Sequence, residues 1–231
     1  MTPKRRSEGA PTKIPGVVLP DANVFFAPRL RDLFLHLHEA ELINVHWTRE
    51  IENEWTRNVL AKQHADPNAI QACLHGMRDA AEGWEVAGYE KFIEHFESVD
   101  EKDRHVAAAA YKLSLEEWPG QPVALVTKNV KDFPHAAFTG TNIICFSTAD
   151  YLDALYAEEP ERVLEVIEGC RKKLKAPKVT REEYVAILVK HGCDRMAQTL
   201  AKKWSVECPL KDKAGNLYYE SDKLANKRKT K

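Results

Sequence analysis

"VVLPDANVFF", residues 17 to 26, drives a strand-like apolar run straight into a carboxylate, Asp21, and turns apolar again after Asn23. Positions 17–20 do not alternate apolar with polar, so they read as a strand covered on both faces, as parallel strands are. Three other short runs share this character: "LINVHW" (42–47), "VALVT" (123–127) and "NIICFS" (142–147). Helix-periodic stretches separate them, at 28–41, 48–64, 68–83 and 100–114. This alternation predicts an α/β fold around a central parallel sheet.

After residue 147 only helices are expected, over "STADYLDALYAEEP", "ERVLEVIEGCRKKLK", "TREEYVAILVKHG" and "DRMAQTLAKKW". Thr180 and Glu183 have the spacing of a capping box. The expected organisation is a flexible basic N-terminus at 1–13, an α/β domain at 14–155, a helical extension at 156–210 and a basic, flexible tail at 211–231. "KAPKV" serves as a joint within the extension.

A chain of 231 residues, 44% hydrophobic and 30% charged, can bury a sizeable core. No run is long and apolar enough to span a bilayer, and the basic N-terminus has no apolar segment behind it, so a cytoplasmic protein is expected. Five cysteines without C-x-x-C spacing favour reduced thiols over a disulfide frame or zinc site. The formal charge of −1 hides a polarity: residues 1–16 carry +3, residues 211–231 carry +4, and the stretch between carries −8. Basic ends can hold a polyanion near an acidic centre; they also serve simply as solubilising tails.

In an open α/β sheet, ligands gather beyond the carboxyl ends of the strands. Asp21 stands where the first strand ends, and Asn129 and Asp132 follow the end of another. Two helices supply further acids. Before the stripe Val106, Ala110, Leu113, Asp103 lies one turn ahead on the same side, whereas Asp100 is rotated away and suits an N-cap. On the preceding helix the stripe is Ile51, Trp55, Val59, and Glu52 and Glu54 both border it, so periodicity does not choose between them. Like charges about 4 Å apart repel by roughly 4 kcal/mol at an effective dielectric of 20. A hard divalent cation relieves this, and oxygen donors without a Cys/His cluster point to Mg²⁺ or Mn²⁺.

"VVLPDANVF", "TREIENEWTRNVL", "DEKDRHVAAAA" and "VTKNVKDFP" together resemble the four acidic motifs of the PIN-domain ribonucleases, in particular the VapC-type toxins and their longer relatives. The resemblance spans about residues 14–148. It implies a three-layer α/β/α PIN-like fold with a central parallel sheet, followed here by the C-terminal helical extension. It implies a Mg²⁺- or Mn²⁺-dependent endoribonuclease whose metal is held by Asp21, Glu54, Asp103 and Asp132, with Asn23, Thr127 and Asn129 supporting them. It also implies a small antitoxin partner that covers the acidic pocket, and a homodimer. Many relatives carry Asp where this chain has Asn129, and Pro20 replaces an apolar residue, with a distorted strand end expected there.

Arg49, Arg57, Arg104, Lys128 and Lys131 lie near the acids in sequence and either meet RNA phosphates or form a solvated, neutralising face. Trp47 and Trp55 fit the core better than a base-stacking platform, and the histidines fit surface or core positions better than ligand positions. A haloacid dehalogenase-type phosphatase needs Asp at position 23, which is Asn. Phosphate-loop, dinucleotide and nucleophile-elbow motifs are missing. The remaining alternative is a catalytically degenerate PIN-like module that binds RNA or protein.

Overall fold

In the computed structural model, residues 13–63, 65–174 and 177–221 are described. The expected N-terminal segment 1–13 and the end of the expected tail, 222–231, lie outside them except for Lys13. Four parallel strands form the central sheet: β1 (Val17–Pro20), β2 (Asn44–Val45), β3 (Val123–Thr127) and β4 (Ile143–Ser147), in the order β2-β1-β3-β4. Every residue of β1 and β3 is buried, which explains their unbroken apolar sequence, whereas the edge strand β4 is mostly half-buried.

Helices cover the sheet on both sides. Between β1 and β2 run α1 (Ala22–Phe25) and α2 (Pro28–Glu39). Between β2 and β3 run α3 (Arg49–Gln63), α4 (Pro67–Ala80) and α5 (Arg104–Lys112). The two crossovers step in opposite directions along the sheet, so right-handed connections place α2 and α5 on opposite faces. Helix α5 is buried nearly all round: Ala107, Ala108, Ala109 and Ala110 are each fully inaccessible. Their small side chains let α5 lie close against β1 and β3 while a 3₁₀ helix, Glu90–Phe96, packs on its outer side.

The sequence placed one helix over 100–114. The structure divides it into a 3₁₀ turn (Glu101–Asp103), α5, and a single π-helical turn (Leu113–Glu117). Pro20 does not distort its strand. Hydrogen bonds alternate sides along a strand, and Pro20 faces the β2 side, where β2 has already ended at Val45. On the other side the Asp21 N–H still reaches Val126 O at 2.9 Å.

Four helices follow the sheet: α6 (Thr148–Glu158), α7 (Pro160–Lys173), α8 (Arg181–Lys190) and α9 (Asp194–Trp204). The capping box at Thr180 and Glu183 is present in both directions. The boundary expected between residues 155 and 156 falls inside α6, because that helix packs on β3 and β4 at one end of its contacts and on α7 and α9 at the other. Helices α6 and α7 are bound to the α/β part by both buried and exposed contacts. Tyr151 stacks on Phe34 with ring centroids 6.1 Å apart and donates its hydroxyl to Pro15 O at 2.9 Å. Arg162 on α7 donates to Ala40 O at the end of α2, at 2.8 Å. Within the segment expected to be a tail, β5 (Leu210–Lys211) and β6 (Leu217–Tyr218) form an antiparallel hairpin.

Candidate active site

Parallel strands bring their carboxyl ends to one edge, and the helices that cross back start there. Asp21 stands directly after β1, and Thr127 ends β3 beside it. Thr127 donates through Oγ1 to Asp21 Oδ2 at 2.7 Å. Asn23 donates through Nδ2 to the same carboxylate oxygen and to Thr127 Oγ1, the latter at 2.9 Å. Its own Oδ1 accepts the Lys128 N–H at 2.9 Å, and Thr127 Oγ1 accepts the Asn129 N–H at 3.1 Å. One hydroxyl and one amide thus lock the loops after β1 and β3 together around Asp21.

The helix α3 resolves the choice that periodicity left open. Glu52 turns inward: its carboxylate, 3% exposed, accepts Trp47 Nε1 at 3.0 Å and Arg78 Nε at 3.0 Å, with Arg49 3.5 Å away. Glu54, rotated around the helix, faces the edge where Asp21 lies. Asp103 holds the N-cap position of α5 without a side-chain capping bond, while Asp100 caps the preceding 3₁₀ turn by accepting the Lys102 N–H at 3.3 Å. Asp103 Oδ2 is buried without a hydrogen-bond donor and is paired, among the described residues, only with Lys102 Nζ, 3.8 Å away.

Asp21, Asn23, Glu54, Asp103, Lys128 and Asn129 line one open hollow of about 340 Å³. Asp132, on the 3₁₀ turn Val130–Asp132, does not line the hollow; it meets Asp103 only through Lys102, whose ammonium is 3.9 Å from Asp132 Oδ2. Crowding shows in the electrostatics. Burial raises Asp21 above the ordinary carboxyl range, against the Thr127 hydrogen bond, and the charge of Glu54 adds to the rise. Asp103 is pushed up to about 6, first by burial and then by the charge of Asp21, with Lys102 opposing and Asp132 adding.

Raised carboxyls, a buried oxygen lacking a donor, and an all-oxygen donor set fit a hard divalent cation in their chemistry. Their spacing is not preset for one. Among the described residues, no three His, Cys, Asp or Glu side chains stand close enough together to hold a metal ion. Asp21 is turned toward Thr127 and Asn23, and Asp103 toward Lys102, so coordination requires these side chains to exchange partners.

Of the five basic residues singled out by sequence, only Lys128 lines the hollow. Arg49 is held by Glu85 through bonds of 3.1 and 2.9 Å and lies over Trp84, 4.6 Å from the ring centre. Arg104 donates to Val99 O at 3.1 Å and Glu97 O at 3.0 Å, fastening the chain before α5. Arg57 is exposed, and Lys131 borders a separate apolar hollow with Phe133 and Phe138. Lys62 and Lys102 line the acidic hollow and were not anticipated. Lys62 lies four residues after Asn58, which itself lies four after Glu54, so helical spacing from Glu54 carried that signal.

His105, beside Asp103 in sequence, takes the core position expected for it. It is 5% exposed, with Nε2 3.5 Å from Glu54 Oε1 and Nδ1 3.5 Å from Glu50 Oε2. Burial works against its protonation, but the contacts with Glu54 and Glu50 outweigh it and raise its pKa. Trp47 and Trp55 are fully buried and belong to the core.

The model of one protein family, the VapC50 C-terminal domain, matches residues 149–202. The helical extension is similar to that domain. The match runs from α6 into α9 and leaves the residues of the hollow outside it. No curated protein and no solved structure matches the chain.

Proposed function

We propose that the chain is a Mg²⁺- or Mn²⁺-dependent endoribonuclease that hydrolyses RNA phosphodiester bonds, acting as the toxin of a toxin–antitoxin pair. The observation that carries this reading is the single hollow shared by Asp21, Glu54 and Asp103 at the carboxyl edge of a parallel sheet. The similarity of residues 149–202 to the VapC50 C-terminal domain supports the toxin assignment independently, because it lies in another part of the chain.

Asp21, Glu54 and Asp103 would hold the ion, joined by Asp132, which reaches them from beyond Lys102. Bound there, Mg²⁺ or Mn²⁺ supplies Lewis acidity and lowers the pKa of water for attack on phosphorus. Asn23 and Thr127 hold Asp21 by side-chain hydrogen bonds, and the Asn129 N–H in turn holds Thr127 Oγ1. Lys62, Lys102 and Lys128 surround the hollow with ammonium groups that can receive RNA phosphates. A small antitoxin protein would inhibit by covering the hollow, a homodimer is the proposed assembly, and the cytoplasm is the proposed location. No helix among the described residues is long and apolar enough to cross a membrane, and the cysteines there are all free thiols.

Cleavage of a mixed RNA with and without Mn²⁺ or Mg²⁺, by wild type and Asp21→Asn, tests the proposal. Metal-dependent cutting that disappears in the variant is the expected result. The spacing of the acids favours one competing reading, a degenerate RNA- or protein-binding module. RNA binding without cutting under either metal would establish that reading instead.

A further inference from the structure

Among the described residues, two carboxylates of α3 lie within 4 Å of the buried imidazole of His105. Nδ1 lies 3.5 Å from Glu50 Oε2 and Nε2 lies 3.5 Å from Glu54 Oε1. Neither nitrogen has an aligned hydrogen-bond partner among the described residues. A buried polar group in this position is strongly unfavourable unless its neighbours compensate it. Glu50 and Glu54 are one helical turn apart on the same face of α3, which lets one ring stand between them. The same Glu50 oxygen that faces His105 is also held by Tyr89: its hydroxyl donates to Glu50 Oε2 at 2.8 Å, and Tyr89 is itself 6% exposed, although Glu50 is half-exposed. The line of contacts therefore runs from a buried anchor to the wall of the hollow, where Glu54 ends it.

Resting on the metal-site reading above, we infer that Tyr89, Glu50 and His105 form a positioning chain that holds the Glu54 carboxylate at the hollow. His105 comes from α5 and the two glutamates from α3, so the chain fixes the distance between Glu54 and Asp103, two residues before His105. None of the three needs to touch substrate. Their effect passes through Glu54, as partners behind a metal ligand orient it and set its affinity.

The test is Mn²⁺ affinity of the full chain, followed by electron paramagnetic resonance without RNA, with thermal unfolding recorded for each variant. His105→Ala is expected to lower the affinity about 10- to 100-fold, the range typical for loss of such a partner. Glu50→Gln and Tyr89→Phe shift it in the same direction, and His105→Gln, which retains an N–H donor, recovers part of the loss. In a Glu54→Gln background, His105→Ala has no further effect, because its route is already cut. Wild-type affinity in both His105→Ala and Glu50→Gln, or an additive loss in the Glu54→Gln background, overturns the chain and leaves the metal site standing. Absence of Mn²⁺ binding by the wild type overturns both. Should His105→Ala not fold, Glu50→Gln and Tyr89→Phe decide by the same criterion.

Discussion

Glu52 and Glu54 are two residues apart on α3, and their surroundings assign them opposite duties. Glu52 is sealed beneath Arg78 and the Trp47 indole, whereas Glu54 opens on the hollow. Removing one partner of a buried pair strands the other, at a cost of about 3–5 kcal/mol. Arg78 is about one-third exposed and can recover some hydration. Glu52→Ala is therefore expected to lose roughly 3 kcal/mol of stability, at the lower end of that range, measured by urea unfolding. Asp103 yields a second expectation. Its pKa is raised from 3.8 in the open chain to about 6 in the metal-free fold, so the folded state holds a proton that the unfolded state has released. The associated stability is complete below pH 3.8, falls as pH rises toward about 6 and is gone above it. Subtracting the melting profile of Asp103→Asn from that of the wild type should leave this descending limb. A difference curve that rises over the window would contradict the crowded environment. Sequence identified Asp103 because its place before a core-facing stripe is a matter of helical phase. It gave His105 a core or surface position but not its contacts with Glu50 and Glu54, which depend on α3 lying beside α5 and are not encoded by spacing along one helix.

At the level of elements, the strands were readable because their apolar runs have no polar face to alternate. The edge strand β4 kept the same character although it is only half-buried, so composition alone did not reveal the sheet order. Residues 84–99, between the helices expected at 68–83 and 100–114, fold as an isolated bridge between Trp47 and Glu85 and the 3₁₀ helix Glu90–Phe96. Their shape is set by what they cover, chiefly α5. The alanines of that helix are small for a geometric reason, since they set how near the Asp103 end approaches β1. Ala108→Leu should therefore be destabilising by about 1–3 kcal/mol through overpacking. Differential scanning calorimetry would register this as a lowered melting temperature; an unchanged one would show that α5 has room to spare. Pro20 teaches the complementary point. Its missing N–H has no consequence because the neighbouring strand stops first, and strand length in a partner is not visible in the local sequence.

The whole molecule joins four chain segments at one edge: the ends of β1 and β3, the second turn of α3 and the start of α5. Helices α6 and α7 are packed into the same core through Tyr151, Val163 and Ile167, and the boundary drawn from the change to a helix-only pattern falls inside α6. Five basic residues near the acids in sequence separated in space, since charged side chains follow the nearest available partner as readily as a ligand site. What the fold does bring together is a set of buried or half-buried oxygen donors under mutual repulsion. Electron density from a crystal of the full chain soaked in Mn²⁺, with anomalous scattering recorded at the manganese edge, tests this most directly. The expected result is a peak within coordination distance of Asp21 and Asp103, with Glu54 turned toward it. Saturating Mn²⁺ that leaves no peak in the hollow, with Asp103 still facing Lys102, would contradict the account.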